Sequence, residues 1–156
     1  MKSIILFVLQ IASTSGKIKF KTDLRKKMKI PYFEAPIKAG FPSPAEDYLD
    51  QNLDLNDYLI QHPAATFFVR VDGDSMIGAN IHKNDLLVVD KALDPSNGKI
   101  VVAILNGEFT VKRFRITDHH VFLEPENPKY KTIEITPDTD FRVWGVVTYV
   151  IHKCTH

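Results

Sequence analysis

The sequence predicts a mostly β domain behind an N-terminal arm, and three observations carry that reading. Six short runs rich in Val, Ile, Phe and Tyr follow one another from residue 66 onward, separated by Gly, Pro, Asn and Asp. Between two of them stands Asn106-Gly107, a pair that accepts positive φ at both central positions of a two-residue hairpin turn. Charge divides the chain as well. Residues 1 to 40 hold nine Lys or Arg against two acids, net +7, and residues 41 to 156 hold eleven against seventeen, net −6. The whole-chain value of +1 conceals this contrast. At 156 residues and 44% hydrophobic, the chain fits one domain with a proper core plus an extension.

The arm begins with a continuous apolar run over residues 4–12, followed by a turn-like cluster at 13–16 and seven basic residues between 17 and 29. The apolar run falls far short of the ~20 residues that cross a bilayer. With Lys2 before it and small residues after it, it imitates a signal peptide, although one lysine makes a thin basic region. Met28 offers an internal start. A basic arm can touch nucleic acid, because Lys and Arg near phosphates release counterions; a solvated segment accounts for the same charges. The acidic remainder argues against DNA binding by the domain itself. Pro31 and Pro36 are expected to interrupt regular structure.

Beyond the arm, residues 47–60 read as a helix, and strands are expected at 66–71, 86–90, 100–105, 109–116, 121–123 and 141–151. The hairpin at Asn106-Gly107 delivers Lys112 on its second strand. Alternation puts Phe109 and Val111 on one face and Thr110, Lys112, Phe114 and Ile116 on the other. Lys112 thus lies on a partly apolar face, which suits a solvated lysine or one held in a cleft. The single cysteine, Cys154, excludes an internal disulfide and fits a reducing cytoplasm.

Two residues suggest chemistry. Ser75 lies in VDGDSMIG, 37 positions before Lys112 in FTVKRF. A serine hydroxyl is a poor nucleophile until a base removes its proton, and a neutral lysine amine can be that base. A turn serine and a strand lysine explain the spacing equally well. Other groupings have plainer readings. His152, Cys154 and His156 project from one face of an extended strand, as zinc or copper ligands would, but a frayed C-terminus explains them. His119-His120 reads as turn filler. Asp72 and Asp74 read as turn acids accepting backbone N–H bonds rather than as an aspartic dyad, and Trp144 and Tyr149 as core or subunit interface rather than a base-stacking platform. No metal or other cofactor is called for.

Five blocks, in order and in register, change the weighing of Ser75 and Lys112. GFPSPAEDYLDQNLDLNDYLIQHPAATFFV, GDSMI, NDLLVVD, GEFTVKR and FRVWGVV, within residues 40–150, resemble the self-cleaving UmuD and LexA family of Ser-Lys peptidases, its UmuD branch most closely. The resemblance implies a LexA/signal-peptidase-like β-fold peptidase domain at 40–156 and a flexible arm at 1–39 that self-cleavage removes. The bond at the family's cleavage position joins Ala39 to Gly40. The resemblance implies Ser75 as nucleophile and Lys112 as general base, with backbone N–H groups near Asp74 and Ser75 expected around the oxyanion and Gly73 allowing the tight turn. A lysine base must be neutral, hence buried, and Phe114 and Ile116 are the expected apolar neighbours. Ile37, alternating with Ala39 on a docked strand, is expected to fill a second, apolar pocket.

In the UmuD branch the trigger is a RecA filament on single-stranded DNA, and the trimmed product works as a homodimer with an error-prone, UmuC-type translesion polymerase. Those are the implied partners, with neither a membrane nor sequence-specific DNA contact among them. Three rival readings are a LexA-like repressor, a signal-peptidase-type processing enzyme and a polymerase accessory domain with a dead site. Against them stand, in turn, an arm without the two-helix pattern of a DNA reader, the lack of a spanning segment, and the presence of both Ser75 and Lys112.

Overall fold

The computed structural model describes residues 30–32 and 51–154. These fall into two units, 30–32 with 51–61 and then 62–154. In the first unit, strand β1 (Ile30–Tyr32) pairs antiparallel with β2 (Gln51–Leu53), and Pro31 stands opposite Asn52. The proline expected to interrupt regular structure sits inside a strand. In a two-stranded ribbon both strands are edges, so its missing N–H can fall on the unpaired side.

The helix expected over 47–60 is much shorter, spanning only Leu55–Leu59 as α1. Asp54, extended at φ −94° and ψ 112°, accepts the Asn56 N–H at 2.9 Å and so fixes the helix start after itself. Residues 51–53 go instead to pairing with the arm, a partner about twenty positions away that no local periodicity reveals.

The second unit is one antiparallel sheet of seven strands: β3 (Thr66–Arg70), β4 (Leu86–Asp90), β5 (Ile100–Leu105), β6 (Glu108–Thr117), β7 (His120–Glu124), β8 (Ile133–Ile135) and β9 (Phe141–Ile151). Their order is β3-β4-β9-β5-β6-β7-β8. Six of the strands match the expected runs. β8, only three residues long, carries too short a pattern to be read from sequence. The β5–β6 turn has Asn106 at φ 50° and Gly107 at φ 82°, and Leu105 faces Glu108 across it, as the dipeptide predicts.

Strand β9 is the spine. Its first half pairs with β5 and its second with β4, so Val146 faces both Val101 and Asp90. The register slips twice along it, leaving Thr148 and Trp144 without direct partners. Bulges of this kind bend a strand and re-aim a side chain.

Alternation along the sheet divides the core. Val102 packs with Met76, Ile81, Leu87 and Val89, whereas its neighbour Val101 packs with Ala103, Phe114, Leu123 and Val146. Met76 and Ile81 come from the connection after β3 and plug the first cluster. Burying the Met76 side chain contributes about 1.5–3 kcal/mol, enough to pin that connection to the sheet. Among the described residues no helix is long and apolar enough to cross a membrane.

Candidate active site

Ser75 lies in the connection between β3 and β4, ahead of a single 3₁₀ turn at Ile77–Ala79. Two features fix it there. Gly73 takes φ +132°, a backbone region that side-chain-bearing residues rarely adopt, and so allows the reversal before the serine. Met76, 2% exposed, anchors the residue immediately after it in the core. The hydroxyl between them remains part-exposed on a cleft.

Lys112 comes from β6, directly opposite Val101 of β5. Its Nζ donates to Ser75 Oγ at 3.0 Å, to Thr110 Oγ1 at 3.0 Å and to the Val111 carbonyl at 3.0 Å. The structure therefore brings Ser75 and Lys112 within hydrogen-bond reach across 37 positions of sequence. The lysine is 7% exposed, and burial lowers its pKa from the ordinary 10.5. Ile116, expected to share in that desolvation, does not. It is exposed, and the lysine head turns back toward Thr110, away from it. Phe114, the other expected neighbour, is buried, and fully buried Val101 stands directly opposite Lys112 across the strand pair.

The serine opens onto a cleft of about 830 Å³. Val69, Val71, Met76, Val102, Phe109, Val111 and Trp144 give it an apolar lining, with Arg70, Asp72 and Asn84 also at its surface. Trp144, freed from the ladder by its bulge, packs edge-on to Phe109 at 5.6 Å and against Phe67 at 5.1 Å, while the Lys91 ammonium lies 4.9 Å from its ring. It is neither wholly core nor a stacking platform but one wall of the cleft.

Asp72 and Asp74 part company. Asp72 forms an exposed ion pair with Lys83 at 3.0 Å, which contributes little to stability. The Asp74 carboxylate accepts the Tyr130 hydroxyl and Asn127 Nδ2. The Tyr130 bond, opposed by partial desolvation and aided by Lys129, by its own N–H and by Asn127, holds this carboxyl below the usual range; the same contact raises the Tyr130 phenol. Among the described residues, no backbone hydrogen bond is donated by the Ser75 N–H.

Sequence reasoning missed the segment that holds this turn, residues 126–130. Asn127, 6% exposed, is the one uncharged polar residue in the described core, and EPENP, with a proline on each side, was its only local signal. His152, read as part of a frayed end, is bonded through Nδ1 to the buried Asp85 at 2.7 Å. His120, read as turn filler, begins β7 and pairs with Glu134, while His119 is in the turn. Among the described residues no three His, Cys, Asp or Glu converge as metal ligands. Ile37, Ala39, Gly40 and His156 lie outside the described residues.

A buried lysine bonded at 3.0 Å to a turn serine on an antiparallel β scaffold is an arrangement in which an amine can activate a hydroxyl. Residues 31–148 match the Peptidase S24-like family, and the chain belongs to that family of self-cleaving serine peptidases. It is 51% identical to Protein SamA of Salmonella typhimurium over 123 residues, 79% of this chain and 85% of that protein. Protein ImpA of Escherichia coli is 49% identical over 125 residues, 79% of this chain and 83% of its own, and Protein MucA of Escherichia coli is 46% identical over 121 residues, 77% and 82% respectively. These relatives are UmuD-like SOS mutagenesis proteins, and the chain's function lies with theirs rather than with LexA repressors.

Proposed function

We propose that Ser75 and Lys112 form a catalytic dyad that cuts the chain once, between Ala39 and Gly40. The observation that carries this is the 3.0 Å contact from a buried, pKa-lowered Lys112 Nζ to Ser75 Oγ. Neutral Nζ takes the hydroxyl proton as Oγ bonds to the Ala39 carbonyl carbon. Collapse of the adduct breaks the C–N bond, and the same proton passes from Nζ to the Gly40 nitrogen. Water then releases Ala39 from the serine. The Ser75 N–H, with the turn at Gly73 and Asp74 shaping its approach, faces the oxyanion. The apolar cleft suits Ile37, two residues upstream of Ala39, with small Ala39 nearest the serine.

On this reading residues 1–39 are an arm lost on activation and 40–156 the working domain. A RecA filament on single-stranded DNA triggers the cut in the cytoplasm. The product, a homodimer, serves as accessory subunit of an error-prone translesion polymerase of the UmuC type. Removing a segment of charge +7 from a remainder of −6 changes the molecule's electrostatics as well as its surface. Purified protein incubated with RecA, ATP and single-stranded DNA should yield a fragment of 117 residues beginning at Gly40 and ending at His156. Ser75→Ala should yield none. A different new N-terminus by mass spectrometry, or the same one from Ser75→Ala, would refute the assignment.

A further inference from the structure

We propose that residues 126–130, between β7 and β8, are a clamp that sets the position of the nucleophile, with Asn127 as the principal positioning residue and Tyr130 as the second. The inference rests on the reading of Ser75 as that nucleophile. The clamp grips the serine turn on both sides of Oγ. Before it, Asn127 Nδ2 donates to the Asp74 carbonyl at 2.9 Å and to Asp74 Oδ2 at 3.3 Å, and the Tyr130 hydroxyl donates to Asp74 Oδ1. At the serine itself, the Glu126 N–H donates to the Ser75 carbonyl at 2.8 Å. Beyond it, the Gly78 N–H donates to the Glu126 carbonyl at 2.7 Å.

The gripping segment is itself stiff and braced. Pro125 just before it and Pro128 within it fix φ at their positions and restrict the residues before them, Asn127 included. Asn127 Oδ1 accepts the Lys129 N–H at 3.1 Å, which orients the amide so that its NH₂ faces Asp74. The Glu126 carboxylate pairs with Arg113, the residue after Lys112 on β6. Base and nucleophile are therefore joined by a second route besides their own contact: β6 carries Lys112 and Arg113, Arg113 holds Glu126, and Glu126 holds Ser75. A serine turn tied only by Met76 and its own local bonds would be free to shift by a fraction of an ångström. A misplacement of about 1 Å at a reacting group can cost about a hundredfold in rate.

The test is self-cleavage of the full chain, followed as a first-order rate over a pH series. Asn127→Ala should slow cleavage about 10- to 100-fold at every pH while leaving the pH midpoint, which belongs to Lys112, where it was. Tyr130→Phe should slow it about threefold, the low end for one hydrogen bond on an exposed group, and should cost nothing further in an Asp74→Ala chain, because its effect runs through that carboxylate. A residue that merely stabilised the fold would change the melting temperature without this coupling. Parental rates in both folded variants overturn the proposal. So does a Tyr130→Phe effect of equal size with and without Asp74, or a moved pH midpoint, which would place the disturbance at the lysine. If Asn127→Ala does not fold, the Tyr130 and Asp74 cycle decides alone. Clamp variants at full speed beside an inactive Ser75→Ala sink the clamp and spare the dyad; a Ser75→Ala chain that still cuts removes the nucleophile and the clamp together.

Discussion

Burying the Lys112 amine should cost the folded state stability that returns at high pH, and Lys112→Met in a Ser75→Ala chain isolates that cost without self-cleavage. Nζ makes its bonds at 3.0 Å to neutral acceptors, and at 7% exposure desolvation holds its pKa below 10.5. The unfolded chain thus keeps this proton to higher pH than the folded one. Below the folded pKa both states are protonated and the full penalty is present, about 1.4 kcal/mol for each unit of depression. Between the folded pKa and 10.5 the unfolded state binds more protons, so stability rises by up to about 1.4 kcal/mol per pH unit. Above 10.5 the penalty has gone. Methionine has no such penalty but forfeits hydrogen bonds worth about 1 kcal/mol each. Thr110 opens on the cleft and can turn to water, which leaves the Val111 carbonyl as the main lasting loss. That loss is constant with pH, so the pH-dependent part is diagnostic. Denaturant unfolding from neutrality to above 10.5 should show the advantage of methionine over lysine shrinking as pH rises, then levelling. In the Ser75 chain, the self-cleavage rate should climb about tenfold per pH unit and flatten at the folded pKa of Lys112, the pH at which the stability difference begins to fall. A stability difference that is flat with pH, or a rate plateau at an unrelated pH, would remove the buried neutral lysine from the mechanism.

Three further outcomes are expected. Lys112→Arg should not self-cleave even at high pH, since a guanidinium is effectively never deprotonated; any fragment on a gel counts against the base assignment. Gly78→Ala places a Cβ 2.6 Å from the Glu126 carbonyl oxygen, so the bond at this end of the clamp must give way. Thermal unfolding should show a loss of about 1–3 kcal/mol together with slower cleavage, and an unchanged melting temperature and rate would contradict the packing described. Finally, a gene for residues 40–156 carrying Ser75→Ala should restore damage-induced mutagenesis to cells lacking this protein, while full-length Ser75→Ala should not; failure of the truncated variant at normal abundance would mean that the serine has continuing substrates.

Features that depend on near neighbours in the chain are legible before folding. Alternating apolar runs need only their own period to be recognised, so β4, β5 and β9 lie where their Val and Ile residues indicate, and Asn106-Gly107 specifies its turn through two backbone torsions. The motif blocks around Ser75 and Lys112 were legible too, since each is a contiguous string. Tertiary structure decided what depends on distant partners. Residues 51–53 became a strand because the arm pairs with them. Trp144 became a cleft wall because a register slip on β9 turned it out of the ladder. The depressed pKa of Lys112 is a property of the surroundings that bury its ammonium, and strand parity could name its face but not the turn of its head away from Ile116. The clamp was least legible. Asn127 is 53 positions from Asp74, and an asparagine between prolines looks like any loop until folding removes it from water, where its amide must find partners. It finds them in the carbonyl and carboxylate of Asp74 and in the Lys129 N–H, and the serine turn is held as a result.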